Sequence, residues 1–508
     1  MSKKNKDKKK ILLGPIITIL ILTLLIVFVS AVLSLLGIDG QKTAIVNGTL
    51  ETSLITIRNI FTVDGIKFVI GNAITNFEVF EPLVILIISL IGIGIADASG
   101  LIKAVVTPFK KYRFNIIIFA TLLIGIISSF IGEYSYIILL PLVGVVYKYL
   151  ERNPMVGVLT IFLGITLGYG AGIIYNYNDY LLGNLTELAA KIDVDKNYKF
   201  ILSSNLYIMI IGTLVLSFVG TGLIEKMLIP KIGKVKQNIE DEKIVSKKAL
   251  YFSNFALVIM LLMFLYMIIP GISGSGMLVD DEQTSYIAKL FSDNAPLKEG
   301  VIYIFMFMMM ICAWIYGKVS GNIKNSGQYS LGLSKSFDGL GYVFVLMFFL
   351  AQLIAILNWT NLGEVVATRL IDFMSSLQFS GIPLIITMFI IVIIISILIP
   401  LTLSKWILMS PIVVPLFMRS NITPDFTQFI FKTADGVGKC FTPLFSYFII
   451  MLAFLQKYND DQNYKVTIFG TMRLIMPIVL LTFGLWLLII LGWYIIGLPT
   501  GIGTYPTL

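Results

Sequence analysis

Histidine is absent from the 508 residues of this sequence, and only two cysteines, Cys312 and Cys440, are present. Histidine is the commonest general base and a frequent metal ligand, so its absence excludes classical serine triads and histidine-based zinc sites. The two cysteines lie in apolar stretches and lack the spacing of a disulfide framework or a metal knuckle. The sequence therefore predicts no catalytic residue, no bound metal and no organic cofactor.

Charged residues are also scarce, at 13% of the chain, whereas an ordinary soluble domain has about 25%. Hydrophobic residues make up 57% and the mean hydropathy is +0.91, a surplus that only a lipid bilayer can hide from water. The formal net charge is +9, but the basic residues lie in short runs between apolar segments. This pattern is typical of positive-inside membrane topology and does not indicate nucleic-acid binding.

Nine apolar segments have the length of a membrane-crossing helix, about 20 residues. They cover residues 11–36, 81–101, 154–176, 205–223, 249–269, 301–317, 339–358, 423–455 and 474–497. The first is too long for a cleavable signal peptide and no small-residue cleavage site follows it. Residues 423–455 exceed one crossing and carry charge and glycine centrally, which predicts a broken or strongly tilted helix.

Two further apolar segments, residues 114–150 and 382–418, are each about two half-membrane lengths with a polar interruption. The interrupting residues are Ser128, Ser129, Gly132 and Glu133 in the first and Pro400, Thr402, Ser404 and Lys405 in the second. Non-helical backbone at membrane depth is tolerated only where protein or a wet cavity satisfies it, so both are interpreted as re-entrant hairpins. The predicted fold is an all-α multi-pass membrane protein with nine transmembrane helices and two re-entrant hairpins.

The distribution of lysine and arginine supports this topology in a cell membrane. With the N-terminus in the cytoplasm and both hairpins re-entrant, 25 of the 38 basic residues lie on the inner side. The chain then divides into a basic cytoplasmic tail (1–10), a first half (11–224), a charged cytoplasmic loop (225–248) and a second half (249–508). The C-terminus is predicted to lie outside.

The two hairpins also begin an internal repeat. In each copy an aromatic residue precedes a proline by five positions, and another proline follows thirteen positions later: Tyr136, Pro141 and Pro154, then Trp406, Pro411 and Pro424. The copies run in opposite directions across the membrane, which is typical of secondary transporters with a site near the midplane. Chance similarity, a channel and a membrane-embedded enzyme are the alternatives.

Few ionisable residues lie at membrane depth, where each costs about 2.5–3.5 kcal/mol. Glu133 and Lys405 lie at the two hairpin tips, and Trp406, beside Lys405, is expected to face a cavity. Asp435 and Lys439 flank a glycine break with i,i+4 spacing, which fits either a binding site or a structural ion pair. Asp179, after the first glycine-broken segment, is either a site residue or a loop cap.

Several blocks, in order across most of the chain, resemble the p-aminobenzoyl-glutamate transporter family (AbgT). They are IGIGIADASGLI, YIILLPL followed by RNPMVG, AQLIAILNWTNLG, SKWILMSPIVVPLFM and TPDFTQFIFKTADGVGKCFTPLFSYFIIMLAFLQKY. The resemblance implies a homodimer, uptake of p-aminobenzoyl-glutamate, export of sulfonamide drugs by some members, and a fold similar to sodium-coupled dicarboxylate carriers. The positions that match functional motifs of the family are Asp179, Trp406, Pro424, Asp435 and Pro443, while Glu133 stands where the family usually has aspartate.

The sequence also departs from the family pattern. A glycine-rich GYGAG run at 168–172 replaces a motif with serine and asparagine, Lys439 replaces an asparagine, Leu403 a serine and Tyr180 a proline. Sodium prefers several oxygen ligands, so these losses weaken a conventional sodium site. We hypothesise that the Lys439 ammonium replaces the sodium charge and that Asp435 or Glu133 carries a coupled proton, although proton and sodium coupling both stay open.

The sequence thus predicts a secondary active transporter of a small aromatic or acidic metabolite. A carrier for a different carboxylate is the alternative, with a channel or an enzyme less favoured. The predicted substrate-binding residues are Trp406, Lys405, Asp435, Lys439, Pro424, Pro443, Thr442 and Asp179. The predicted ion-coupling residues are Glu133, Asp435, Ser128 and Ser129.

Overall fold

Long apolar helices dominate the computed structural model, which describes residues 13–46, 48–192, 194–232, 243–459 and 466–508. The predicted tail at 1–10 and much of the predicted loop at 225–248 lie outside the described residues. The helices are α1 (Pro15–Leu35), α2 (Val63–Gly71), α3 (Ala73–Glu78), α4 (Glu81–Ala98), α5 (Leu101–Val106), α6 (Phe114–Ile127), α7 (Tyr134–Tyr149), α8 (Pro154–Leu167), α9 (Tyr177–Lys191), α10 (Leu206–Leu223), α11 (Ile229–Ile232), α12 (Lys247–Ile268), α13 (Tyr286–Phe291), α14 (Pro296–Ser320), α15 (Ser326–Ser334), α16 (Gly341–Trp359), α17 (Leu362–Ser376), α18 (Gly381–Leu398), α19 (Thr402–Arg419), α20 (Pro424–Gly438), α21 (Ser446–Lys457) and α22 (Ile468–Ile496).

Nine helices within these ranges are long and apolar enough to cross a membrane, which confirms the predicted multi-pass helical fold. The membership of the nine differs from the prediction. The first arms of both hairpins, Phe114–Ile131 and Gly381–Leu398, have 18 residues each and qualify by length. Two predicted spans, 154–176 and 423–455, are not among the nine. The first contains a helix of only 14 residues, α8, because the glycine-rich run from Gly168 ends it. At 1.5 Å per residue, α8 is about 21 Å long, too short to cross alone.

The predicted break in residues 423–455 is confirmed. Helices α20 and α21 are separated by a 3-10 turn at Lys439–Phe441 and a short irregular segment, and their axes differ by 45°. Pro443 lies in this segment, where it has no backbone N–H to continue the helix. The Thr442 hydroxyl donates to the Ile397 carbonyl (2.7 Å) and accepts from the Leu444 N–H (3.1 Å). The break is therefore held against the end of α18.

Two series of four helices, α6 to α9 and α18 to α21, follow the same plan. In each, a long first arm leads to a second arm with an internal proline, then to a helix that starts with proline, a break and a further helix. The packing between them is reciprocal: α7 packs on α21 while α19 packs on α9, and α8 contacts α21 while α20 contacts α9. The two breaks lie close together, since the Thr166 carbonyl oxygen and Tyr169 border Gly436 of α20.

A two-stranded antiparallel sheet, which the all-α prediction did not include, follows α1. Strands β1 (Asp39–Val46) and β2 (Thr49–Thr56) pair from Asp39 with Thr56 to Val46 with Thr49. The sheet is tied to α17 by the Lys42–Glu364 (3.0 Å) and Arg369–Asp39 (2.7 Å) ion pairs. The Asn-Gly pair at 47–48 is a strong hairpin signal in the sequence, but it marks a turn and not a long apolar segment, so hydropathy does not predict the sheet.

The last residues of the chain pack on the starts of α10 and α20. The Thr423 N–H donates to the Pro506 carbonyl (3.0 Å), and the Tyr207 N–H donates to the Thr500 carbonyl (2.9 Å). These bonds satisfy backbone groups near helix N-termini that have no intrahelical partner. The start of α20, which leads into the central break, is thus anchored.

Candidate functional site

A buried ion pair between Lys405 and Asp435 lies where the second hairpin meets the α20 break. The two hairpins are called hairpin 1 (residues 114–150) and hairpin 2 (residues 382–418). Lys405 is in the first turn of α19, Asp435 is in the last turn of α20, and neither side chain has any exposed surface. The Lys405 ammonium also donates to the Ser396 hydroxyl (2.9 Å) and lies 3.5 Å from the Pro400 carbonyl oxygen. Asp435 accepts hydrogen bonds from Ser396 (3.1 Å) and Thr402 (2.5 Å). The pair is therefore almost fully coordinated by protein.

A second ammonium, that of Lys439, connects this pair to hairpin 1. Its Nζ donates to the Thr402 hydroxyl (2.7 Å) and lies 3.5 Å from Asp435 Oδ2 and 3.4 Å from Glu133 Oε1. It also lies 3.9 Å from the centre of the Tyr169 ring, within range of a cation–π interaction. Two ammonium groups thus face two carboxylates, and groups from both hairpins and both breaks contribute.

Lys432, which the sequence analysis missed, forms another ion pair with Asp179 (2.5 Å). Asp179 also forms a capping box with Asn176 at the start of α9, so the loop-cap interpretation and the ion pair are both observed. The Lys432 ammonium lies 5.8 Å from the Tyr169 ring centre. Lys432 and Asp435 on α20 and Lys439 directly after it are spaced i, i+3 and i+7 in the sequence, a pattern that indicates one helix face and could have revealed Lys432.

Other predicted site residues lie away from this network. The structure places Trp406 in a buried contact instead of on a cavity wall: its Nε1–H donates to Thr186 (3.0 Å) and the Leu182 carbonyl (3.2 Å). Tyr136, its counterpart in the repeat, stacks on Tyr447 of α21 at 4.8 Å. Both aromatic residues thus join the two four-helix series, because each packs on the last helix of the opposite series, α9 or α21.

Ser128, Ser129 and Pro424, three further predicted site residues, contribute to local helix structure. The hydroxyls of Ser128 and Ser129 donate to the carbonyls one turn back, at Gly125 (2.7 Å) and Ile126 (2.8 Å), so neither reaches the charged network. Pro424 is the first residue of α20.

The described residues contain no group of three or more Asp, Glu, His or Cys side chains that could hold a metal ion.

A cavity of about 490 Å³ adjoins the network, within the usual range for small-molecule sites. Its inner wall includes Glu133, Pro400, Leu401, Ser404 and Phe445. Its other walls include Lys42 of the sheet, Glu81 at the start of α4 and Glu364 of α17, all in segments predicted to face the outer side. Lys405 and Asp435 do not line the cavity, but the Lys405 ammonium lies 3.5 Å from the carbonyl oxygen of Pro400, which does. Glu133, with 24% of its side chain exposed, joins the cavity to Lys439.

Comparison with known proteins decides the family. Residues 9–508 match the sequence pattern of the AbgT transporter family. The chain belongs to this family. The p-aminobenzoyl-glutamate transport protein of Escherichia coli K12 is 26% identical over 499 residues, which cover 97% of this chain and 94% of that protein. The resemblance inferred from the sequence blocks is therefore confirmed.

Two solved structures are similar to this AbgT-family chain over nearly its whole length. The YdaH transporter of Alcanivorax borkumensis is 24% identical, with 96% of this chain and 100% of that chain covered and a TM-score of 0.50. The Neisseria gonorrhoeae MtrF structure, described as illuminating a class of antimetabolite efflux pumps, is 25% identical, with coverage of 97% and 98% and a TM-score of 0.50. The protein is a multi-pass membrane protein with a transporter fold.

Proposed function

We propose that this protein is a secondary active transporter of a small aromatic or acidic metabolite, with p-aminobenzoyl-glutamate as the leading candidate. The main support is the charged network, which lies where the series α6 to α9 meets the series α18 to α21, beside a cavity of ligand size. The Escherichia coli relative is named for p-aminobenzoyl-glutamate transport, which supports this choice of substrate. A different carboxylate is the alternative, and the same architecture favours transport over catalysis or a channel.

The substrate carboxylate is proposed to compete with Glu133 for Lys439. The Glu133–Lys439 separation of 3.4 Å is loose for an ion pair, and Glu133 borders the cavity, so an incoming anion can approach this contact. Exchange of one carboxylate for another keeps the buried ammonium paired throughout binding, which avoids the cost of an uncompensated charge. Lys432 offers a second ammonium beyond Tyr169.

Alternating access is proposed to move the two hairpin series together against the remaining helices. The reciprocal packing of α7 on α21 and of α19 on α9 supports the inverted repeat between the predicted halves, 11–224 and 249–508. The N-terminus is proposed to be cytoplasmic and the C-terminus outside. This orientation makes the cavity described above the outer access path. The homodimer implied by the family resemblance remains part of the proposal.

Substitution of Lys439 by methionine tests this site. We expect the initial rate of labelled p-aminobenzoyl-glutamate uptake into proteoliposomes to fall by about tenfold or more, the effect of losing 1.4 kcal/mol of binding. Methionine keeps an apolar chain but removes the charge that would meet the substrate. The measurement is uptake at several substrate concentrations, with a higher half-saturation concentration expected.

The matched control is Lys110→Gln, which removes a lysine from an ion pair with Glu151 (2.7 Å) that lies outside the charged network. Its uptake rate is expected to equal that of the wild type. Equal half-saturation concentrations for Lys439→Met and the wild type would refute the assignment of Lys439. No saturable uptake or efflux of p-aminobenzoyl-glutamate by the wild type would refute this substrate.

Export of antimetabolites is a second candidate, because the MtrF structure is described as illuminating a class of antimetabolite efflux pumps. Sulfonamides are the compounds to test, since the family resemblance implies their export by some members. Expression in drug-sensitive cells should then raise the inhibitory concentration of a sulfonamide, and Lys439→Met should lower it again. An unchanged inhibitory concentration, with the protein present in the membrane, would remove this function.

A further inference from the structure

The ammonium of Lys405 occupies a set of oxygen atoms that would suit a small cation. Three kinds of oxygen surround it: a carboxylate oxygen of Asp435, the hydroxyl of Ser396 and, at 3.5 Å, the carbonyl of Pro400. Pro400 belongs to the irregular segment between α18 and α19, so its carbonyl is not used within a helix. Carbonyls freed at helix breaks, together with side-chain oxygens, are how secondary transporters bind sodium.

While Lys405 is present, the site offers a sodium ion neither an unpaired negative charge nor exposed surface. Lys405, Asp435 and Lys439 are all completely buried, and their oxygen partners are already engaged. Among the residues that the structure describes, the charged groups facing this centre are Lys405 from α19, Asp435 and Lys439 from the α20 break, and Glu133 from hairpin 1. They balance, with two positive and two negative charges. An added cation would leave an uncompensated buried positive charge, which is strongly unfavourable.

We propose that Lys405 is a built-in cation that replaces a dissociable sodium ion, so that transport by this protein does not depend on sodium. The structure assigns this role to Lys405 and not to Lys439, because the Lys405 ammonium is in direct contact with Asp435 whereas that of Lys439 is 3.5 Å away. This inference rests on the proposed transport function. It also has a consequence that transport alone does not have: removal of the ammonium should open a sodium site.

The first test compares uptake of labelled p-aminobenzoyl-glutamate in sodium chloride and in N-methylglucamine chloride, at the same pH on both sides. The wild-type rate should be the same in both salts. Lys405→Ser removes the ammonium from the oxygen atoms around it and adds a hydroxyl oxygen. This variant should lose about tenfold in rate without sodium, and the rate should recover with sodium in a saturable manner. Lys405→Met, which fills the same space with an apolar chain, should lose rate in both salts. Lys110→Gln, outside the network, should behave as the wild type does.

The second test requires no transported substrate. A ligand that binds only the folded state raises thermal stability, so the Tm of purified Lys405→Ser should rise with sodium concentration at constant ionic strength. The Tm of the wild type and of Lys405→Met should not change. If the wild type does not transport the labelled compound, the proposed substrate fails while this test still decides the role of Lys405.

Two results would overturn the proposal. One is a wild-type protein whose uptake or Tm depends on sodium at constant ionic strength. The other is a folded Lys405→Ser variant with neither a sodium-dependent rate nor a sodium-dependent Tm. If Lys405→Ser does not fold, Lys405→Asn offers a larger oxygen-bearing side chain for the same two measurements, and the wild-type result alone can still contradict the proposal.

Discussion

Replacement of Asp435 by asparagine is expected to abolish transport and to lower stability by about 3–5 kcal/mol, the usual cost of removing one partner from a buried ion pair. The substitution leaves the ammonium groups of Lys405 and Lys439 with one carboxylate, that of Glu133, between them. Asparagine nearly preserves the shape of the side chain, so the loss comes from charge. Uptake into proteoliposomes and Tm in detergent measure the two effects.

A double variant separates charge from transport. Asp435→Asn combined with Lys405→Met removes one negative and one positive charge, so the remaining Lys439 and Glu133 again balance. We expect this variant to recover most of the lost Tm while uptake stays absent. A single Asp435→Asn variant with the Tm of the wild type would show that the charges of Lys405, Lys439, Glu133 and Asp435 do not balance one another.

Replacement of Gly436 by alanine is expected to reduce transport by about tenfold or more, because overpacking forces backbone shifts that cost about 1–3 kcal/mol. A Cβ atom at this position would lie 2.5 Å from the Thr166 carbonyl oxygen and 2.8 Å from the Tyr169 Cβ. The first of these neighbours is backbone, which cannot move aside alone. The two breaks would therefore separate, and Tyr169 would be displaced from Lys439.

The matched control is Gly484→Ala in α22, where an added Cβ would have no neighbour within 4 Å. Alanine favours helix more than glycine does, so this variant should keep full uptake and an unchanged or slightly higher Tm. Wild-type uptake by Gly436→Ala would contradict the close approach of α20 to the end of α8. The same initial-rate assay applies to both variants.

Hydropathy, together with the positions of glycine, proline and charged residues, was sufficient to predict most of the fold. The spanning helices stand out because lipid demands long uninterrupted apolar segments, and the breaks stand out because glycine, proline and charge are costly there. The predicted length of the helix that begins at Pro154 was wrong. Apolar residues continue past Gly168, so hydropathy does not show where α8 ends. The sheet was missed because a short polar hairpin lacks this strong signal.

The candidate site was less predictable. The i,i+4 spacing indicated that Asp435 and Lys439 could pair, and they do lie 3.5 Å apart. The closer partner, Lys405, is 30 positions away in the sequence, and the packing of α18 and α19 on α20 brings hairpin 2 to Asp435. Spacing along one helix cannot specify such a contact. Trp406 shows the same limit, because its position beside Lys405 does not fix which way its ring points.

The covalent attachment of the Lys405 ammonium has a thermodynamic consequence for accumulation. A dissociable ion adds its own gradient to the work done on the substrate, because it enters on one side and leaves on the other. In the proposed alternating-access cycle, an ammonium carried on a side chain returns to its starting position after each turnover, so its movement through the membrane field makes no net contribution. The attainable ratio of inside to outside substrate is then set by the substrate's own charge and by any proton that travels with it.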